Sequence, residues 1–128
     1  MNLTVETKKQ EGTCYVSAKG IIDSESSDYF YDEIKSELDE KVHVLLVNMS
    51  EVVYISSLGL SMLFKAKKDI ENLGGTFVLT ELQPQIRKIF EVIKALPSLN
   101  VFKSMEEADA YLDKIQRKAL RDNEEGEK

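Results

Sequence analysis

Apolar and polar residues alternate at the start of the chain. Leu3 and Val5, then Cys14, Val16 and Ala18 after "QEG", predict two half-buried strands joined by a hairpin, the second ending at Gly20. From Asp23 or Ser24 the period lengthens: Phe30, Ile34 and Leu38 share one face and Glu33, Lys35 and Glu37 point away, as in an amphipathic helix. The run "VHVLLVNM" is almost continuously apolar and β-branched, which predicts a central strand buried on both faces. His43 falls in it as a strand residue with a satisfied hydrogen bond. A second helix follows Ser57 to about Leu73, with Leu63, Ala66, Ile70 and Leu73 inward and Gly74 as a left-handed stop. "GGTFVLT" supplies another strand, and Pro84 opens a third helix that buries Ile86, Ile89, Phe90 and Ile93 and closes at "LPSLN". "VFKS" reads as a short last strand. Ser104, with Glu107 three residues on, is a capping box for a fourth helix that turns Ala108, Tyr111, Leu112 and Ile115 inward.

The order is β-β-α-β-α-β-α-β-α: an α/β fold with one mixed sheet of about five strands, four helices shielding its face, and right-handed crossovers between parallel strands. A chain of 128 residues holds one such domain, expected over 1–117, and the charged tail 118–128, "KALRDNEEGEK", is expected to fray. Sites in these folds gather where a strand's carboxyl end becomes a helix.

Composition narrows the function. With 42% apolar and 31% charged residues the chain is globular, and a formal charge of −6 argues against direct nucleic-acid binding. Lys65, Lys67 and Lys68 alternate with acidic residues and read as a solvated helix face. No apolar run approaches the ~20 residues of a membrane span and "MNLTVETKKQ" lacks a signal-peptide core, so a cytoplasmic protein without membrane contact is expected. Cys14 is single and reads as a small apolar strand residue; with His43 the only histidine, neither a metal site nor a cofactor is expected.

The chemistry concentrates in "VVYISSLGLSML", residues 52–63, where two serines stand between strand and helix. Either can cap the helix through its first-turn N–H groups, a contribution of about 1 kcal/mol. A nucleophilic elbow asks for small residues on both sides, but Ile55 and Gly59 flank Ser57, and His43, the one candidate base, starts the spine strand about 30 Å away. "SSLGLS" has one glycine and no P-loop lysine, which disfavours nucleotide binding. A hydroxyl at a helix N-terminus can also receive a phosphate from a kinase, because the helix end tolerates the new anion.

"GIID" at 20–23, the segment from "VHVLLVNM" through "ISSLGLSML", "GGTFVL" and "LQPQIRKIFEVI" together resemble the STAS domain of the bacterial anti-sigma factor antagonist family, up to about Leu112. That family's D-S-S-G-L-G phosphoacceptor motif is similar to the stretch from Ser56 to Ser61 and matches Ser57 to the phosphorylated serine. Ser56 replaces the motif's acid, Leu58 a small residue and Ser61 the second glycine; Ser56 thereby becomes a second candidate acceptor. The resemblance implies a non-enzymatic switch that binds an anti-sigma factor serine kinase of the histidine-kinase-like ATPase type and is released on phosphorylation, with a serine phosphatase restoring it. It also implies that Asp23, from the G-x-x-D motif, lies near the serine loop and helps orient the hydroxyl; capping the first helix is its alternative role. The expected partner surface is Asp23, Ser56, Ser57, Leu58, Gly59, Leu60 and Phe64, with some of the apolar members partly exposed or else packed beneath loops. A STAS scaffold that is not phosphorylated and a small serine hydrolase are the alternatives. The switch requires that a kinase can reach the Ser57 oxygen.

Overall fold

The computed structural model describes residues 2–93 and 104–126, without the side chains of Met105 and 124–126. β1 (Leu3–Gln10) and β2 (Thr13–Ile22) form the hairpin, followed by α1 (Ser27–Lys35), β3 (Val44–Ile55), α2 (Ser57–Asn72), β4 (Thr76–Thr80), α3 (Pro84–Ile93) and α4 (Met105–Gly126). Among the described residues the sheet is mixed and four-stranded, β1-β2-β3-β4, with β1 antiparallel to β2 and the other neighbours parallel. The strand expected at "VFKS" falls on 101–103, outside the described residues, as does the helix end at "LPSLN".

Period-two alternation fixes which face is buried. Val5 pairs with Ala18, Cys14 with Leu45, Val16 with Val47, and Leu45 and Val47 with Phe77 and Leu79, so one face is apolar from edge to edge. Against it lie Phe30 and Ile34 of α1, Leu60, Leu63, Ala66 and Ile70 of α2, and Ile86 and Ile89 of α3 in one core. α3 joins through Phe90, whose ring meets Phe64 edge-on at 6.2 Å. The central strand is not buried on both sides: Val44, Leu46 and Asn48 on its other face are half-buried, and their neighbour Tyr15 is exposed.

Other departures have local causes. Gly20 does not end β2 but sits inside it at a register shift, with φ +116 and the Asn2 carbonyl 2.1 Å from where a Cβ would be, so only glycine fits. α1 begins at Ser27, later than Asp23, because the Asp23 carboxylate takes the N–H groups of Glu25 (3.0 Å) and Ser26 (3.2 Å) and folds a turn that competes with helix. His43 precedes β3 and donates its backbone N–H to the Gly12 carbonyl at 2.7 Å. Leu73 is 41% exposed, lying at the C-cap and off the stripe, while Gly74 beyond it takes φ +83. α4 is capped as its capping box predicts, with Glu107 N–H to Ser104 Oγ at 3.1 Å, but Tyr111 turns outward at 38% exposure and the helix runs on to Gly126 through the segment expected to fray.

Candidate functional site

β3 is longer than its neighbour. It pairs with β4 only as far as Asn48, so its last residues lack a strand partner on that side among the described residues. Three glutamines supply the missing bonds. Gln83 Nε2 donates to Ser50 O (2.8 Å) and Gln85 Nε2 to Val53 O (2.9 Å). Gln116 of α4 accepts from Ile55 N–H (3.0 Å) and donates to Ile55 O (2.8 Å), as a neighbouring strand would. α4 is thereby fastened across the strand's carboxyl end, where Ser56 and Ser57 stand.

At that junction each serine has a different neighbour. Ser56 is the N-cap of α2: its backbone is extended and its Oγ accepts from Gly59 N–H at 3.1 Å. Its own N–H donates to Ile22 O at 2.8 Å, tying the start of α2 to the end of β2. Gly59 lies so close to that strand end that an added Cβ would stand 2.6 Å from Ile22 O. Ser57 opens the helix, and its N–H (2.9 Å) and hydroxyl (2.5 Å) both donate to Asp109 Oδ1 of α4. α2 has no acidic residue in its own first turn, so Asp109 supplies from another helix the carboxylate that favours a helix N-terminus. One turn further along α4, Asp113 Oδ1 accepts from the Tyr54 hydroxyl at 3.1 Å. Burial, that bond and the charges of Asp113 and Asp109 push the Tyr54 phenol up to about 12.

The expected site residues are gathered but only partly presented. Ser57 is 1% exposed and Ser56 7%, so the oxygen a kinase would need is covered by α4 in this structure. Leu60 is fully buried in the core, whereas Leu58 and Phe64 are half-exposed. Asp23 sits beside the loop through Ile22, and its carboxylate bonds its own turn, taking the Ser26 hydroxyl at 3.2 Å besides the two N–H groups. The acid at the Ser57 hydroxyl is Asp109, which sequence reasoning passed over together with Gln116. The signal was their spacing: Asp109, Leu112 and Gln116 share one helix face, placing polar groups inside a buried stripe. Of that face Leu112 is fully buried and Gln116 is 1% exposed.

Among the described residues no three His, Cys, Asp or Glu side chains are grouped to hold a metal ion, and no helix is long and apolar enough to cross a membrane. The two serines open the second helix of a β-β-α-β-α-β arrangement, and the family model of the STAS domain matches residues 4–108. The chain belongs to the STAS domain family. It is 28% identical over 110 residues to a Bordetella bronchiseptica protein named as an anti-sigma factor antagonist, BtrV, covering 86% of this chain and 93% of that one. Its fold is similar to an anti-sigma factor antagonist from Mycobacterium paratuberculosis (TM-score 0.59, 19% identity, 87% of this chain and 94% of the other). SpoIIAA, an anti-sigma factor antagonist from Bacillus, is similar in its unphosphorylated form (TM-score 0.59, 17% identity, 69% and 82% covered) and in its phosphorylated form (TM-score 0.59, 16% identity, 70% and 82% covered).

Proposed function

We propose that this STAS domain is a cytoplasmic anti-sigma factor antagonist, a binding module without catalytic activity. Its partner is an anti-sigma factor serine kinase of the histidine-kinase-like ATPase type, engaged through the turn of Asp23, Ser56, Ser57, Leu58 and Gly59, with Phe64 at the margin. The kinase transfers the γ-phosphoryl group of ATP to Ser57 Oγ: the new O–P bond replaces the bond to ADP, and the hydroxyl proton leaves to solvent. The complex then separates, and a serine phosphatase reverses the step. BtrV, a relative that this chain matches over most of its length, supports the antagonist reading.

One geometric observation links a phosphate on Ser57 to a changed surface, once α4 has moved off the buried hydroxyl. The Ser57 oxygen lies at the mouth of α2 and 2.5 Å from the Asp109 carboxylate. A phosphate there, carrying about −1.5 to −2 charges, cannot share the position with a carboxylate, so the modification must change the surface. The burial of Ser57 favours a second reading, a STAS scaffold that binds its partner and is never phosphorylated.

Mixing the protein with the host's candidate kinases and ATP, followed by site mapping by mass spectrometry, separates the two. Phosphate on Ser57, a complex weakened by Ser57→Asp and one preserved by Ser57→Ala are the results expected of the switch. Phosphate on Ser56 alone moves the acceptor by one residue. A stable complex with no phosphate establishes the scaffold instead. Hydrolysis of an ester by the purified protein, lost in Ser57→Ala, would contradict both.

A further inference from the structure

We infer that α4 is a displaceable clasp: its Asp109–Leu112–Gln116 face holds the Ser57 turn closed, and the turn becomes available when that face lifts without the rest of the fold unfolding. The biological use of this opening rests on the reading of Ser57 as the switch; the opening itself does not.

The hold of α4 on the turn is mostly polar. Asp109 takes both donors of Ser57, Gln116 takes both backbone groups of Ile55, and Asp113 takes the Tyr54 hydroxyl. Among the described apolar side chains of this helix Ala108 and Leu112 are buried, and Ile115 and Ala119 are half-buried. Tyr111 and Leu120, on two different sides of the helix, are both more than a third exposed. When the helix lifts, these groups exchange their partners for water, and the bonds accepted by Asp109 and Asp113 are the stronger part of what is given up. To the core beneath, built on Val16, Leu45 and Val47, α4 contributes one large fully buried side chain, Leu112, with Ile115 packed at its edge, while the strand-to-strand pairing of β1 to β4 uses none of its residues. Segments held by few apolar contacts are those that open below the global unfolding free energy.

The clasp also gives the modification a direction. In the closed state Asp109 occupies the space next to Ser57 Oγ, so a phosphate on that oxygen meets a carboxylate at hydrogen-bonding distance and Asp113 one turn away. Phosphorylation and closure exclude one another, and a phosphorylated chain stays open.

Thiol labelling of the full chain, without kinase or partner, tests this. Ser57→Cys places a thiol under α4, while Cys14, fully buried in β2, reports global opening in the same molecule. Peptide mapping after timed alkylation reads both rates. Position 57 is expected to label at least tenfold faster than Cys14, and adding Gln116→Ala should raise its rate a further ~10-fold with Cys14 unchanged. Equal rates at the two positions, or rates that rise together with Gln116→Ala, would overturn the clasp.

Native-state hydrogen exchange on the unaltered chain gives the same answer without substitution. The Ile55 and Ser57 amides, whose partners are on α4, should exchange at least tenfold faster than that of Val47 and with a weaker dependence on urea. Identical rates and urea slopes for all three would overturn the clasp too. Absence of a kinase partner would remove the proposed switch and leave these rates as they are.

Discussion

Replacing Gly59 by alanine sets two physical effects of opposite sign against each other. Gly59 is the third residue of α2, so helix propensity alone favours alanine, by at most about 1 kcal/mol. The new methyl would stand 2.6 Å from Ile22 O, 2.7 Å from Ile22 Cγ2 and 3.1 Å from the Ile22 carbonyl carbon. Non-bonded heavy atoms rest at about 3.5 Å or beyond, so helix and strand must part by roughly 0.9 Å. Neither side gives easily. Leu60 and Leu63 anchor this end of α2 in the core, and Ile22 is itself fully buried. The Ser56 N–H to Ile22 O bond, 2.8 Å long, spans the same gap and would stretch with it. Overpacking of this kind costs about 1–3 kcal/mol and a weakened hydrogen bond about 1 kcal/mol. Net of propensity, Gly59→Ala is expected to destabilise by roughly 1–3 kcal/mol. Urea denaturation followed by circular dichroism measures this as a lower midpoint at unchanged slope. An alanine variant as stable as the parent, or more stable, would refute the close approach of α2 to the end of β2.

Three further outcomes are expected. Ser56→Ala removes the side-chain acceptor of Gly59 N–H and should cost about 1 kcal/mol in the same urea assay, whatever the function of the turn. Gly20→Ala should cost more, at least ~2 kcal/mol, because it combines a left-handed backbone with a collision against Asn2 O; a wild-type midpoint would refute the bulge. The third concerns alkaline pH. Burial, then the hydrogen bond to Asp69 and the charges of Asp69 and Asp32, push the Tyr31 phenol up to about 12, and Tyr54 is pushed up to about 12 as well. Both folded values lie above the ordinary 10, so their contribution to stability is intact below pH 10 and is lost as the pH rises through 12. Absorbance at the phenolate band should show two tyrosines ionising late, together with the unfolding signal. Tyr54→Phe should remove one of these late steps, and five tyrosines titrating together near 10 would contradict both environments.

The amino-acid order by itself determined the elements and the family. Alternation in β1 and β2, the unbroken apolar run of β3, Pro84 at the first turn of α3 and the Ser104–Glu107 cap are local signals, and short-range sterics and hydrogen bonds enforce them wherever the chain is placed. The serine pair at the strand-to-helix turn was legible for the same reason, as was a cap by one of the two; that it is Ser56 came from the structure. Tertiary structure decided what surrounds that pair. Asp109 and Gln116 are more than fifty residues from their partners, and their spacing on α4 looks like ordinary surface polarity until the helix is laid across the end of β3. The need for Gln116 arises only because β4 stops opposite Asn48, a mismatch in strand length that no local pattern states. Burial of Ser57 is likewise a property of two helices meeting: a hydroxyl that sequence places at an open turn is closed by a carboxylate from the far end of the chain.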